Sequence, residues 1–246
     1  MLWGSLALVV SLAWWYLFVI AEQMSAMPDM DGMRDIVGMH AWTARDYVAM
    51  FIMWAVMMVG MMVPTAMRAI RIYTTVAQAA SERGSLIASV YVFVLGYVLV
   101  WTAFSVLATL LQAALDALGL LSPMMASSSG LLGAGLLVVA GLYQLTPWKD
   151  VCLRHCQMPA TYLAGRFGPR LVDGVGLGVR HGGYCLGCCW LLMLLLFVGG
   201  VMNLVWIAAI TAFVLLEKLL PTRFFVSRGA SVLMIAVGVA FLIVES

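Results

Sequence analysis

Cut at its charged residues, the chain leaves long apolar stretches with shorter polar segments between them. Each stretch reaches or approaches the roughly 20 residues that an α-helix needs to cross about 30 Å of hydrocarbon. Seven spans follow, at about 2–21, 47–67, 86–114, 131–147, 184–198, 204–220 and 229–244. From Tyr184 to Leu220 no charge appears before Glu217, and at about 1.5 Å of rise per residue that run is far too long for one crossing. Gly199, Gly200 and Asn203 near its middle supply the turn. The first stretch has no basic residues ahead of its apolar run, so it reads as a retained helix rather than a cleaved signal peptide. The predicted fold class is all-α: one polytopic transmembrane helical bundle over residues 1–246.

Composition agrees with that pattern. Hydrophobic residues make up 65% of the 246 and charged residues 10%, against about 25% charged in a soluble domain. So few charges cannot solvate a surface of this size in water. The net charge of +2 adds little, but the placement of the basic residues adds a great deal. Eleven of the 13 fall in alternate connections: Arg68, Arg71 and Arg83, then Lys149, Arg154, Arg166, Arg170 and Arg180, then Lys218, Arg223 and Arg228. The opposite side holds only Arg34 and Arg45, both in the 22–46 segment beside five acidic residues. Basic connections stay on the cytoplasmic side. The amino terminus is therefore expected inside and the carboxyl terminus outside, with a methionine-rich loop at 22–46 external and a Cys/His-containing segment at 148–183 cytoplasmic.

The external loop reads Met24-Ser-Ala-Met27-Pro-Asp-Met30-Asp-Gly-Met33, followed by Met39-His40. Methionine every third residue in a polar, acidic, proline-containing stretch is not a buried core. Thioether sulfur is a soft ligand that needs no deprotonation and suits copper(I), and His40 adds an imidazole. In the second span, Met50, Met53, Met57 and Met61 fall within about 80° of one another at 100° per residue, and Met58 and Met62 widen the stripe. Such a face suits a soft cation, although methionine also serves as an adaptable packing residue. Pro64 at its end frees a backbone carbonyl and bends the helix.

All five cysteines gather toward the predicted cytoplasmic face. On a helix, Cys152, His155 and Cys156 share one side at i, i+3 and i+4. His181, Cys185 and Cys188 share another, with Cys189 at its flank. Thiolates with imidazole serve copper, zinc or an iron–sulfur cluster. Cytoplasmic thiols are kept reduced, so structural disulfides are disfavoured. Glu217 and Lys218 read as interfacial anchors that pair with each other or with Arg223, and residues 157–180 read as an interfacial linker with a short surface helix at 161–167. Gly174-x-x-x-Gly178 and Gly183-x-x-x-Gly187 mark close helix approach. No P-loop, dinucleotide fingerprint, catalytic triad or internal repeat is present, and nothing supports nucleic-acid binding.

Several blocks together resemble one bacterial family. They are Met53-Trp54 with Met57-Met58 and Met61-Met62-Val-Pro64, Gly141-Leu-Tyr-Gln144-Leu-Thr-Pro147 leading to Cys152-Leu-Arg-His155-Cys156, Gly182-Gly-Tyr-Cys185-Leu-Gly-Cys188-Cys189-Trp190, and Leu215-Leu-Glu217-Lys218. The family is a domain-of-unknown-function group of predicted metal-binding integral membrane proteins, some of whose members carry a copper-chaperone label. The likeness runs from about Trp42 to Val244. It implies a multi-pass bacterial inner-membrane protein with a metal site at the cysteines. The expected function is that of a non-enzymatic copper(I)-binding or transfer protein, with a metallochaperone or a membrane metalloenzyme as partner. Two other readings stay open at this point: a thiol–disulfide oxidoreductase coupled to quinone, and an assembly factor for a membrane metalloenzyme.

Overall fold

A computed structural model describes residues 2–25, 42–84, 87–122, 125–127, 129–163, 167–220 and 223–245. Among the described residues the long apolar stretches are helices and there is no β-strand. In chain order the elements are α1 (Leu2–Ser25), α2 (Ala44–Met62), a 3-10 turn (Pro64–Ala66), α3 (Met67–Glu82), α4 (Val90–Ala117), α5 (Gly130–Gln144), α6 (Pro147–Gln157), α7 (Ala160–Leu163), α8 (Leu171–Leu194), α9 (Leu196–Gly199), α10 (Leu204–Leu219) and α11 (Arg223–Glu245).

Each of the seven stretches read from the sequence corresponds to a helix, but not every helix has spanning length. Among the described residues five are long and apolar enough to cross a membrane, and the pair α5 and α6, bent by 68°, makes a sixth if it counts as one. Helix α10 has 16 residues, about 24 Å of length, which is short of the hydrocarbon thickness. The turn before it lies where Gly199, Gly200 and Asn203 were expected to place it. Gly200 takes a φ of 91°, which a side chain would oppose, and the Asn203 side chain accepts from the Trp206 N–H at 3.2 Å to start α10. Helix α8 begins at Leu171 instead of near Tyr184, so the linker read over 157–180 is half helix. Asp173 explains the early start, because its carboxylate accepts from the Arg170 N–H at 3.2 Å and satisfies a donor at the helix entrance.

Pro64 breaks α2 from α3 as its missing N–H requires. Gly60, the carbonyl four residues back, accepts instead from Trp14 Nε1 at 3.3 Å. In the 3-10 turn Ala66 N–H donates to Val63 rather than to Met62. The freed Met62 carbonyl takes two hydroxyls, Thr65 at 2.8 Å and Tyr97 at 2.9 Å. This break therefore holds Thr65 and Tyr97 together deep inside the bundle.

Helices α4 and α8 meet backbone to backbone. Gly174, Gly178 and Gly182 recur every fourth residue, and added β-carbons there would meet Ala88, the Phe93 carbonyl and Val100 respectively. Gly96 on α4 answers from the other side, against the Val175 carbonyl. The expected Gly174-x-x-x-Gly178 approach is thus real and extends one turn further. Gly178→Ala is expected to lower thermal stability in detergent by the equivalent of about 1–3 kcal/mol or more, as overpacking does. Gly176→Ala, which meets nothing within 4 Å, is the neutral control. Equal melting temperatures for the two variants would refute this account of the seam.

Polarity is arranged inside out. Val172, Val205, Leu131, Trp15 and Val244 are exposed on the outside, whereas Lys149, Glu217, Lys218, Gln112 and His181 are buried. In water that arrangement is costly. In hydrocarbon, polar and ionisable groups face the bundle interior and find partners there.

Candidate metal-handling site

The site lies where α8 passes the Pro64 break and the end of α10. Cys185, Cys188 and Cys189 on α8 and Cys156 on α6 are all buried. The thiols of Cys188 and Cys189 donate to the Cys185 carbonyl at 3.1 and 3.0 Å, the i−3 and i−4 geometry that short side chains find on a helix. Cys156 lies in the same buried cluster, where α6 packs against α8. All five cysteines are free of disulfides. Among the described residues no group of three or more His, Cys, Asp or Glu side chains is spaced to hold a metal ion as it stands.

Lys218 is the residue that sequence reasoning missed. The residue is 2% exposed, and its ammonium reaches Cys185 Sγ at 2.8 Å, Thr65 Oγ1 at 3.2 Å and Cys189 Sγ at 4.0 Å. The Tyr97 hydroxyl stands 3.0 Å from the same Cys185 sulfur. One sulfur is thus held between an ammonium and a phenol oxygen, in a pocket with no exposed side. Arg68 ties down the end of α10, donating to the carbonyls of Lys218 at 3.2 Å and Leu219 at 2.7 Å.

Glu217 goes elsewhere. Its carboxylate meets Lys149 Nζ at 2.6 Å, with both side chains buried, and Lys149 also reaches Ser227 Oγ at 3.5 Å. Gln157 donates to the Glu217 carbonyl at 2.6 Å. Glu217 and Lys218 therefore do not pair with each other at an interface as expected; each enters the core with its own partner. A signal was available, since charges at the end of an apolar run are functional candidates by default.

The other expected ligands divide. His181 sits one turn before Cys185, with its ring 5.5 Å from that of Tyr97 and 5.9 Å from that of Phe93. The His155 ring stacks on Tyr184 at 4.2 Å, and its Nδ1 lies 2.8 Å from the Val151 carbonyl. Cys152 is only partly buried and its sulfur packs against Gly187, where an added β-carbon would come within 2.9 Å of it. The Gly187 carbonyl accepts from the Tyr143 hydroxyl. On α2, Met53, Met57, Met58, Met61 and Met62 are all buried, while Met50 is partly buried at the far end. Met27, Met30, Met33 and His40 lie outside the described residues, as does the side chain of Met24.

The family model described as copper chaperone (PpoB2) matches residues 51–241, which run from within α2 to most of α11. No curated protein and no solved structure matches the chain.

Proposed function

The chain belongs to the PpoB2 copper chaperone family, and from that premise we propose that it is a membrane-embedded protein that binds copper(I) as cargo and hands it on. The observation that carries this reading is the convergence of buried thiols on one buried ammonium. Two thiolates around one copper(I) ion keep a net charge of −1. Inside an apolar bundle such a charge needs a counter-charge, and Lys218, 2.8 Å from Cys185, supplies it. Cys185, Cys188, Cys189 and Cys156 form the tight site. To reach the ion, Cys188 and Cys189 leave the Cys185 carbonyl. His181, Cys152 and His155 flank that site on α8 and α6. Zinc and iron–sulfur centres use the same thiolates, and copper is preferred over them because the family is one of copper chaperones.

The inside-out distribution of polar groups supports an inner-membrane position with several crossings. The alternation of basic connections supports an internal amino terminus. In this orientation Met24, Met27, Met30, Met33 and His40 capture copper outside, and Met50, Met53, Met57 and Met61 line the way toward the thiols. A metallochaperone or a membrane metalloenzyme would receive it.

The test is a copper(I) titration against a chromogenic chelator, using the full chain in detergent. Cys185→Ser/Cys188→Ser should weaken tight binding by at least about a hundredfold, more than the loss of an outer-shell partner causes. Replacing the four loop methionines with leucine should slow capture at low copper and leave the tight site intact. Acid separates the two sets, because a free cysteine loses its proton near pH 8.5 whereas a thioether has none to lose. Between pH 7 and pH 5 the cysteine-held copper should be released first. Wild-type affinity in the cysteine variant would sink the proposal.

A further inference from the structure

Resting on the copper reading, we infer a second soft-metal site, formed by Met50 and Met125 and presented by Gln112, at the end of the bundle opposite the thiols. Gln112 lies near the end of α4 and is 1% exposed. Trp54 Nε1 donates to its Oε1 at 2.6 Å, which fixes the amide and directs its Nε2 group inward. That nitrogen donates to two sulfurs, Met125 Sδ at 3.0 Å and Met50 Sδ at 3.5 Å. Thioether is a weak acceptor for a buried amide. It is a good ligand for a soft monovalent cation. Two thioethers drawn to one point, with a polar group there only weakly satisfied, form a place that such an ion fits better than the amide hydrogens do.

Met125 is held there against backbone preference. Its φ of 55° lies in the left-handed region, the one such non-glycine residue among those described. The Met125 N–H donates to the Ser122 carbonyl at 2.8 Å, and the Met125 carbonyl accepts from the Val201 N–H at 3.5 Å. Residues kept in that region concentrate at ligand clamps, where the fold over-determines them. Two bonds to the surrounding chain and an inward thioether fit that description.

Position gives the site its role. Trp42 Nε1 donates to Asp116 Oδ2 at 2.8 Å, which brings the chain leaving the methionine-rich loop onto the same end as Gln112. From Met50 the stripe steps through Met53, Met57 and Met61 to Thr65, about 22 Å along α2 and its turn. Thr65 already touches Lys218. The pair is therefore the first station inside the bundle for a soft cation arriving from the loop. With neutral ligands only, it binds weakly and releases readily, as a relay requires.

The experiment uses silver(I), a soft d10 cation that is not redox-active here, on the full chain carrying carbon-13 methionine methyls. Met50→Leu and Met125→Leu are near volume-conserving and assign the two signals. Both methyl resonances should shift together on adding silver, and replacing either residue should abolish the shift of the other. The double variant should keep the wild-type copper(I) affinity of the thiols but fill them at least tenfold more slowly from outside. Methyls that stay unmoved, or that respond independently, overturn the site, and so does an unchanged filling rate. Methyls that respond in a protein whose thiols bind no copper would sink the proposed function and leave this site standing.

Discussion

Lys149→Met is expected to leave little folded protein. The substitution removes the cation from a carboxylate that sits 2.6 Å away with a side-chain exposure of 2%. Breaking a buried pair from one side costs about 3–5 kcal/mol, because the remaining charge has neither water nor partner. Domains are stable by only about 5–15 kcal/mol, so the loss is a large share of the total. Ser227 at 3.5 Å from Lys149 cannot replace an ammonium. Lys149→Met/Glu217→Met removes both charges and should recover most of the folded yield, since a well-packed apolar pair often equals the ionic one. Monodisperse recovery and melting temperature in detergent read the result. A single variant as stable as the wild type would mean that Glu217 is already neutral or solvated.

Lys218→Met is expected to spare the fold more and the cargo less. The ammonium touches Thr65 and Cys185, and methionine fills most of its volume. A hydrogen bond to a charged group contributes about 1.5–3 kcal/mol. Copper(I) affinity at neutral pH should therefore fall by roughly ten- to a hundredfold. The chelator titration distinguishes two roles for the lysine. Weaker binding means that it balances the charge of the thiolate–copper complex. Tighter binding would mean that lysine and copper compete for the same sulfurs, and the charge-balance account would then fail.

The parts of the site that were legible share short sequence spacing. Cys185, Cys188 and Cys189 fall on one helix within two turns, and the methionine face of α2 follows from 100° per residue alone. The polar frame was not legible, because it is built across the chain. Lys218 is 33 residues from Cys185, Tyr97 is 88 away and Thr65 is 120 away. The expectation for Glu217 and Lys218 failed for a geometric reason. Neighbours in a helix point about 100° apart, so two adjacent charges are better placed to reach two different partners than each other. The start of α8 is hidden in the sequence because Arg170 and Arg180 give its first turns the polarity of a linker, and Asp173 at the third position is the cue that marks it.

The glycine seam between α4 and α8 has a kinetic consequence. It joins Tyr97 and Cys185 through main-chain contact, so the helices carrying them have little freedom to rock apart. Collective motions of whole helices run on microseconds to milliseconds, whereas side-chain rotations in open surroundings take picoseconds to nanoseconds and are slower when buried. With the frame locked, the mobile parts near the sulfur are the thiols of Cys188 and Cys189 and the four-methylene stem of Lys218. If copper(I) binds at Cys185 as proposed, its exchange there would be timed by rotamer hops within a rigid cage. The rate of that exchange would then depend on packing around three side chains and very little on the thickness or fluidity of the lipid outside.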